Sequence, residues 1–200
     1  MRELALHLLD IAENSVSAHA GTIWITVEED LTADRLRMVV EDNGSGMDAG
    51  MVARVTDPFV TSRTTRKVGL GIPLLKAAAE ACNGFFAITS TVGQGTRVTV
   101  EFQHSHIDRM PLGNLPSTFL TLVVGSPEVH WILRYRVNDQ AYEFDDELIK
   151  QELGDLPLSE PAVLVYLRDM LETGIAEARS AAQSTGKQPA GAETYPHGFA

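Results

Sequence analysis

Asp10 and Asn14 are the first residues of the chain whose types and spacing suit chemistry. They stand four apart in a segment with helical periodicity, so their side chains emerge on one face about one turn from each other. The Asn14 amide offers the hard oxygen that a magnesium ion prefers, and the Asp10 carboxylate could orient or deprotonate a water near a terminal phosphate. The alternative for such a pair is a polar helix face in solvent.

Asp42 opens the segment Asp-Asn-Gly-Ser-Gly, directly after a run of strand-forming residues. A strand end would hold the carboxylate rigidly, while Gly44 and Gly46 would let the backbone approach a flat ring. The amino group of adenine is a natural donor to a buried acceptor of this kind. A simple turn would use the same residues.

A third segment, Gly69-Leu70-Gly71, leads directly into a predicted helix. Free backbone amides and the positive end of the helix dipole would meet there, which suits a phosphate group. Arg63, Arg66 and Lys67 precede it and form a local basic cluster in an acidic protein, so they are candidates to pair with a phosphate tail. An exposed loop with solvated charges is the alternative.

The fourth segment, Gly93-Gln94-Gly95-Thr96, joins two predicted strands. Thr96 could hydrogen-bond a bound ring or Asp42, although a plain hairpin turn would use the same residues. Each of the four segments is common alone, but their order and local structure together indicate a nucleotide pocket. We therefore expect ATP and Mg²⁺ as cofactors.

The elements that must position these residues follow from apolar periodicity. Helices are predicted over residues 3–18, 47–55 and 72–82, and strands over residues 22–28, 36–41, 85–91 and 97–102. This order predicts a mixed sheet covered on one face by helices, which is a two-layer α/β sandwich of the α+β kind.

The second half of the chain reads as a different unit. Residues 104–178 are expected to form a small α+β C-terminal unit, with a hairpin around Asn138, helices over 145–153 and 160–178, and an apolar segment, 119–124, that fits helix or strand. Residues 179–200 lack periodicity and are expected to be a disordered tail.

Composition bounds the function classes. The 200 residues are 44% hydrophobic and carry a net charge of −11, which argues against a nucleic-acid partner and against anionic lipid. Cys82 is the only cysteine, so no intrachain disulfide can form. No stretch approaches the ~20 apolar residues of a membrane span. We expect a cytoplasmic protein.

Residues 1–103 resemble the ATP-binding domain shared by sensor histidine kinases, DNA gyrase, the heat-shock chaperone and the mismatch-repair MutL proteins, the GHKL superfamily. The resemblance rests on the four segments, on Glu13-Asn14-Ser15, and on Asp57-Pro58-Phe59 with Thr61 and Arg63 after it. It implies the GHKL type of two-layer sandwich, with Asn14 as magnesium ligand, Asp42 as adenine contact and Thr96 as its supporting hydroxyl. It also implies that residues 60–71 form a lid over the phosphates.

Several features depart from the family pattern. Asp10 stands where hydrolytic members carry Glu, and the lid is short. We also expect the chain to lack the helical dimerisation domain that precedes the ATP-binding domain in histidine kinases. His106 is the one histidine whose surroundings share features of a phosphoacceptor box. Two hypotheses follow: an enzyme that transfers the terminal phosphoryl group of ATP to a histidine, or less often a serine, on a separate protein, or a nucleotide-dependent interaction module with slow turnover. In both, the C-terminal unit contacts the protein partner.

Overall fold

The computed structural model of the chain describes residues 3–56, 71–154 and 156–185. The helices and strands of these residues are α1 (Leu4–Ser17), β1 (Thr22–Asp30), β2 (Arg35–Asp42), α2 (Ala49–Thr56), α3 (Gly71–Ala81), β3 (Phe85–Thr91), β4 (Gly95–Gln103), α4 (Leu115–Gly125), β5 (His130–Val137), β6 (Gln140–Asp145), α5 (Asp146–Leu153) and α6 (Pro161–Thr185).

The described strands form one six-stranded sheet in the order β3-β4-β2-β1-β5-β6. β1 and β5 run parallel, whereas the other neighbouring pairs are antiparallel. Parallel neighbours need a crossover, and the chain between β1 and β5 supplies one that includes α4. The predicted mixed sheet and α/β architecture are confirmed.

Alternation along the strands decides which face of the sheet is covered. In β1, Ile23, Ile25 and Val27 are buried, whereas Trp24 and Thr26 are partly exposed. The buried set belongs to one continuous core that also includes apolar residues of α1, α3, α4 and α6. Side chains on the two faces of a strand alternate, so the buried residues of β1 all lie on one face of the sheet. The helices pack against that face.

The segment beyond residue 103 shares this sheet and this core. β5 pairs with β1 over eight residues, from Thr22 opposite His130 to Glu29 opposite Val137, and α4 packs against α1. The apolar segment 119–124 lies in α4, whose first turn is capped by Asn114, since Asn114 Oδ1 accepts from Ser117 N at 2.9 Å. The division at residue 103 falls at the end of β4 and stays a prediction.

The prediction of a disordered tail from residue 179 is wrong for its first seven residues, because α6 continues to Thr185. The extension has tertiary partners that periodicity alone does not reveal. The Arg179 guanidinium lies 5.2 Å from the centre of the Tyr135 ring, and Ala182 is only 3% exposed. Residues 186–200 lie outside the described residues.

Across the ranges that the structure describes, none of the helices combines the length and the apolar character needed to cross a lipid bilayer.

Candidate nucleotide-binding site

A cavity of about 260 Å³ opens where one end of the sheet meets α1, α2 and the first turn of α3. Its walls are largely apolar and its polar groups are few, which is the usual composition of a site for a small organic ligand. The apolar lining consists of Ile11, Ala18, Met47, Met51, Val55, Ile72, Ile88 and Val98.

Asp42 lies at the end of β2 in this cavity, and only 7% of its surface is exposed. Its Oδ2 accepts a hydrogen bond of 2.6 Å from the Ser15 hydroxyl. Its Oδ1 accepts from the backbone N–H groups of Gly44, at 2.9 Å, and of Thr96, at 3.2 Å. A carboxylate offers about four acceptor positions, so a fixed and incompletely occupied acceptor faces the cavity.

Thr96 lies directly across from Asp42 in the register of β2 and β4. On its other side it lies across from Ser90 of β3, and the two hydroxyl oxygens are 2.8 Å apart. The Ser90 hydroxyl also accepts from the backbone N–H of Met47 at 2.7 Å and donates to the carbonyl of Gly95 at 3.0 Å. These bonds fasten the loop after Asp42 to the β3–β4 hairpin.

Close backbone contacts explain two of the glycines. Gly46 has φ +65°, and a Cβ atom there would lie 2.0 Å from the Thr91 carbonyl oxygen. Gly95 has φ +110°, and a Cβ there would lie 1.8 Å from the Asp42 carbonyl oxygen. Any side chain would therefore push the β3–β4 hairpin away from the strand that carries Asp42. Gly44 is also tight, with a Cβ position 2.8 Å from the Ala18 carbonyl oxygen.

α1 carries Asn14 to the rim of the cavity, where its side chain is exposed. Asp10 is half-buried one turn earlier and is not among the residues that line the cavity. Neither side chain hydrogen-bonds another residue within the described ranges. Asn14 therefore has the position and the oxygen donor that a magnesium ligand needs, and Asp10 stands one turn behind it.

The segment that the sequence predicts to bind phosphate is described only at its last residue. Gly71 is buried and begins α3, and Ile72 in the first turn lines the cavity, so the N-terminus of this helix lies at the site. The other residues predicted to contact phosphate lie outside the described residues: Thr61, Arg63, Lys67, Gly69 and Leu70.

Sequence reasoning assigned no function of their own to Ser15 and Ser90. Ser15 belongs to the Glu13-Asn14-Ser15 run, and its hydroxyl donates a hydrogen bond to Asp42. Ser90 follows Phe86 and Ile88 at alternate positions of β3, and these two apolar side chains pack against the core. A hydroxyl at the end of an apolar alternation was the available signal, but its partners depend on the strand order β3-β4-β2, which the sequence does not reveal.

A second cavity, of about 470 Å³, opens at the opposite end of the sheet. Its lining has five carboxylates and three guanidinium groups, and this acidic balance disfavours phosphate. Two of those guanidinium groups already pair with carboxylates, Arg35 with Glu101 at 3.2 Å and Arg136 with Glu28 at 2.9 Å. The cavity around Asp42 is therefore the better candidate for a nucleotide.

Comparison with known proteins gives relatives that match about half of the chain. It is 28% identical over 103 residues to a putative sensor protein of Shewanella frigidimarina (strain NCIMB 400), a match that covers 51% of this chain and 15% of that protein. It is 32% identical over 120 residues to the cell-division control histidine kinase PdhS of Brucella abortus (strain S19), covering 54% of this chain and 11% of the kinase. The chain thus spans a small part of the length of these relatives.

Among solved structures, the N-terminal domain of a DNA repair protein superposes with a TM-score of 0.52 at 15% identity. The superposition covers 72% of this chain and 52% of that one, and it shows a shared fold. The sequence profile of the family described as histidine kinase-, DNA gyrase B-, and HSP90-like ATPase matches residues 1–106. With more than half of its residues inside that match, the chain belongs to the histidine kinase-, DNA gyrase B-, and HSP90-like ATPase family.

Proposed function

We propose that this chain binds ATP with Mg²⁺ and transfers the terminal phosphoryl group to a separate protein. The observation that carries the nucleotide proposal is Asp42, a carboxylate held by three donors at the end of an apolar cavity. A buried acceptor in a slot with apolar walls suits the amino group and the two faces of adenine. The family to which residues 1–106 belong is one of ATPases, which is consistent with this ligand.

One group of residues around the cavity is assigned to the base of the nucleotide, and another group to its phosphates. Asp42 accepts from the base, Thr96 supports it, and Ile88 and Val98 lie in the walls that would contact the ring. The start of α3 presents backbone N–H groups towards the phosphates. We assign Arg63 and Lys67 to the phosphate tail by their charge, together with Thr61 and the Gly69-Leu70 pair that precedes the helix.

Asn14 fits the role of magnesium ligand. Its amide oxygen is a hard donor, it is exposed at the rim of the cavity, and no described residue competes for it. Bound Mg²⁺ would supply positive charge beside the phosphates. Asp10, one helical turn away, is the carboxylate that we assign to orienting the acceptor group or water for attack.

Phosphoryl transfer to a protein histidine is favoured over simple binding by one comparison. The match to PdhS, which is named as a histidine kinase, covers 54% of this chain. We extend that activity to this chain, and we assign the protein partner to the segment 104–178, where large apolar side chains stand in solvent. These are Leu148, 63% exposed, Leu156, 48%, Val165, 56%, and Tyr166, 53%.

The second candidate is a nucleotide-dependent interaction module. The position of Asp10 favours it, because this carboxylate is half-buried and is not among the residues that line the cavity. In the described residues, Asp10 is therefore not placed to contact an attacking group at the cavity. Such a module would bind ATP, present its surface to a partner and turn the nucleotide over slowly.

Binding is tested by calorimetric titration of the purified chain with ADP and Mg²⁺. Asp42→Ala removes the base acceptor and is expected to abolish binding while the circular dichroism spectrum is retained. Asp139→Ala makes the same change of charge at an exposed position of the β5–β6 turn and serves as control. Wild-type affinity in Asp42→Ala would show that the pocket assignment is wrong.

Transfer is tested with ATP labelled in its γ-phosphate, added with Mg²⁺ to the chain alone and with cell extract. Acid-labile label on another protein, absent when Asp42→Ala replaces the wild type, supports a kinase that acts on histidine. Tight ATP binding with no labelled protein and little released phosphate supports the interaction module.

A further inference from the structure

Three polar side chains form one row across the sheet at the cavity. Ser90 of β3 lies opposite Thr96 of β4, and Thr96 lies opposite Asp42 of β2. Thr96 and Asp42 both line the cavity, whereas Ser90 lies behind Thr96 and is partly buried. A ligand would therefore meet Thr96 and Asp42, and Ser90 could influence it only through a neighbour.

The hydrogen-bond partners of Ser90 determine the direction of each proton. A serine hydroxyl has one proton and two lone pairs. The backbone N–H of Met47 donates to the Ser90 oxygen, and the Gly95 carbonyl, which can only accept, takes the Ser90 proton. With the Ser90 proton assigned to the Gly95 carbonyl, the remaining contact, 2.8 Å between the two hydroxyl oxygens, is assigned as a hydrogen bond from Thr96 to Ser90.

This direction fixes what Thr96 offers to a ligand. Its single proton points to Ser90, so its oxygen presents lone pairs only. The Asp42 carboxylate oxygens likewise only accept hydrogen bonds. The polar end of the cavity formed by these two residues therefore accepts hydrogen bonds and donates none from its side chains.

From this pattern, and building on the proposed nucleotide site, we infer that Ser90 is a positioning residue for base specificity: it orients the Thr96 hydroxyl as an acceptor and so selects 6-aminopurines over 6-oxopurines. An exocyclic amino group donates hydrogen bonds to acceptors. A 6-oxopurine has only its N1–H as a donor at this edge, so its 6-oxo group would face lone pairs and one of the two acceptors would stay unpaired, which is unfavourable.

The test compares ADP with inosine diphosphate, which differ at position 6 of the base and at the adjacent ring nitrogen. Calorimetric titrations give the ratio of the two dissociation constants for each variant. The wild-type chain is expected to prefer ADP by at least about tenfold.

Ser90→Ala frees the Thr96 proton to turn towards a 6-oxo group, and the preference is expected to shrink by about tenfold. Thr89→Ala, on the neighbouring exposed position of the same strand, is the control and should keep the wild-type preference.

A double-mutant cycle separates orientation from a general loosening of the loop at Met47. Thr96→Val removes the hydroxyl on which Ser90 is inferred to act, and should itself reduce the preference for ADP. In that background, Ser90→Ala is expected to leave the ratio of dissociation constants unchanged. An equal effect of Ser90→Ala on this ratio in both backgrounds would show that Ser90 does not act through the Thr96 hydroxyl, and would overturn the inference.

The remaining outcomes separate the inference from the proposal beneath it. A wild-type chain that binds neither nucleotide overturns the proposed function itself. A wild-type chain that binds ADP tightly, with a preference that Ser90→Ala leaves intact, overturns only the role of Ser90.

Discussion

The Ser15 hydroxyl donates a 2.6 Å hydrogen bond to Oδ2 of Asp42, and this bond joins α1 to the end of β2. Ser15 is 4% exposed, so the bond is shielded from water. The preceding residue, Asn14, reaches the rim of the same cavity. The proposed base acceptor and the proposed metal ligand are therefore held in fixed relation by adjacent residues of one helix.

Ser15→Ala is expected to weaken binding of ADP and of adenosine by about the same factor, on the order of tenfold, because it removes a hydrogen bond to a buried charge at the base end. Calorimetry with both ligands measures the two factors. Ser17→Ala is the matched control, since the Ser17 hydroxyl is exposed and, among the described residues, donates to the Glu13 carbonyl of its own helix at 2.9 Å. Equal affinities in Ser15→Ala and Ser17→Ala would contradict a role for Ser15 at the base.

Gly46→Ala should destabilise the chain more than Gly93→Ala, although both glycines have positive φ, +65° and +75°. At Gly93 no atom of the described residues lies within 4 Å of an added Cβ, so the expected cost is that of the backbone conformation, about 1 kcal/mol. At Gly46 the Cβ would also meet the Thr91 carbonyl oxygen at 2.0 Å. Urea denaturation of both variants gives the two losses in free energy of unfolding, and equal losses would count against the close packing of this loop.

Local patterns were sufficient for much of the fold. The alternation of Ile23, Ile25 and Val27 predicted a strand with one buried face, and the structure has it. The position of Asp42 after a strand and of Thr96 after a glycine turn suggested that they meet, and they lie directly opposite each other. Their roles with a nucleotide stay predictions.

Pairing between segments that are distant in the sequence could not be predicted from the sequence. The sequence gives no signal that His130 starts a strand parallel to β1, because register between distant segments depends on the assembled core. The same reason explains the length of α6. Its last turns lack strong apolar periodicity, and their order comes from contacts with the sheet, such as that of Arg179 with Tyr135.

Those contacts surround Glu29, a carboxylate whose side chain is only 14% exposed. The Tyr135 hydroxyl donates to it, the Arg179 guanidinium lies 3.3 Å away, and His104 Nε2 lies 2.9 Å away. Burial alone would raise the pKa of Glu29, but the hydrogen bonds of Tyr135 and His104 and the charge of Arg179 outweigh it and hold the pKa below its usual range. Burial and the Glu29 charge together raise the pKa of Tyr135 well above its ordinary value, so the phenol stays a donor.

The lowered pKa of Glu29 predicts a loss of stability in acid. A carboxylate whose pKa is depressed by folding stabilises the protein above its unfolded pKa, and that contribution is lost as pH falls through the folded value. The free energy of unfolding should therefore fall more steeply from about pH 5 downward, through the lowered pKa of Glu29, in the wild type than in Glu29→Gln. Denaturant unfolding across this range measures both slopes. Glu143→Gln alters an exposed ion pair with Arg134, serves as control and should keep the wild-type slope. Identical slopes in all three proteins would show that Glu29 does not cause the loss of stability in acid.

His106, the histidine with local features of a phosphoacceptor, lies far from the cavity. β4 begins at Gly95 beside Asp42 and ends at Gln103, and His106 N–H donates to the Gln103 carbonyl at 3.2 Å. Eight residue steps along a strand span roughly 27 Å. In-line transfer requires the attacking nitrogen in contact with the γ-phosphate.

Incubated alone with labelled ATP and Mg²⁺, the chain is therefore expected to carry no acid-labile label on His106, and His106→Ala should behave as the wild type. Acid-labile label on the wild-type chain that His106→Ala abolishes would show that this histidine does reach a γ-phosphate, and would establish an autokinase.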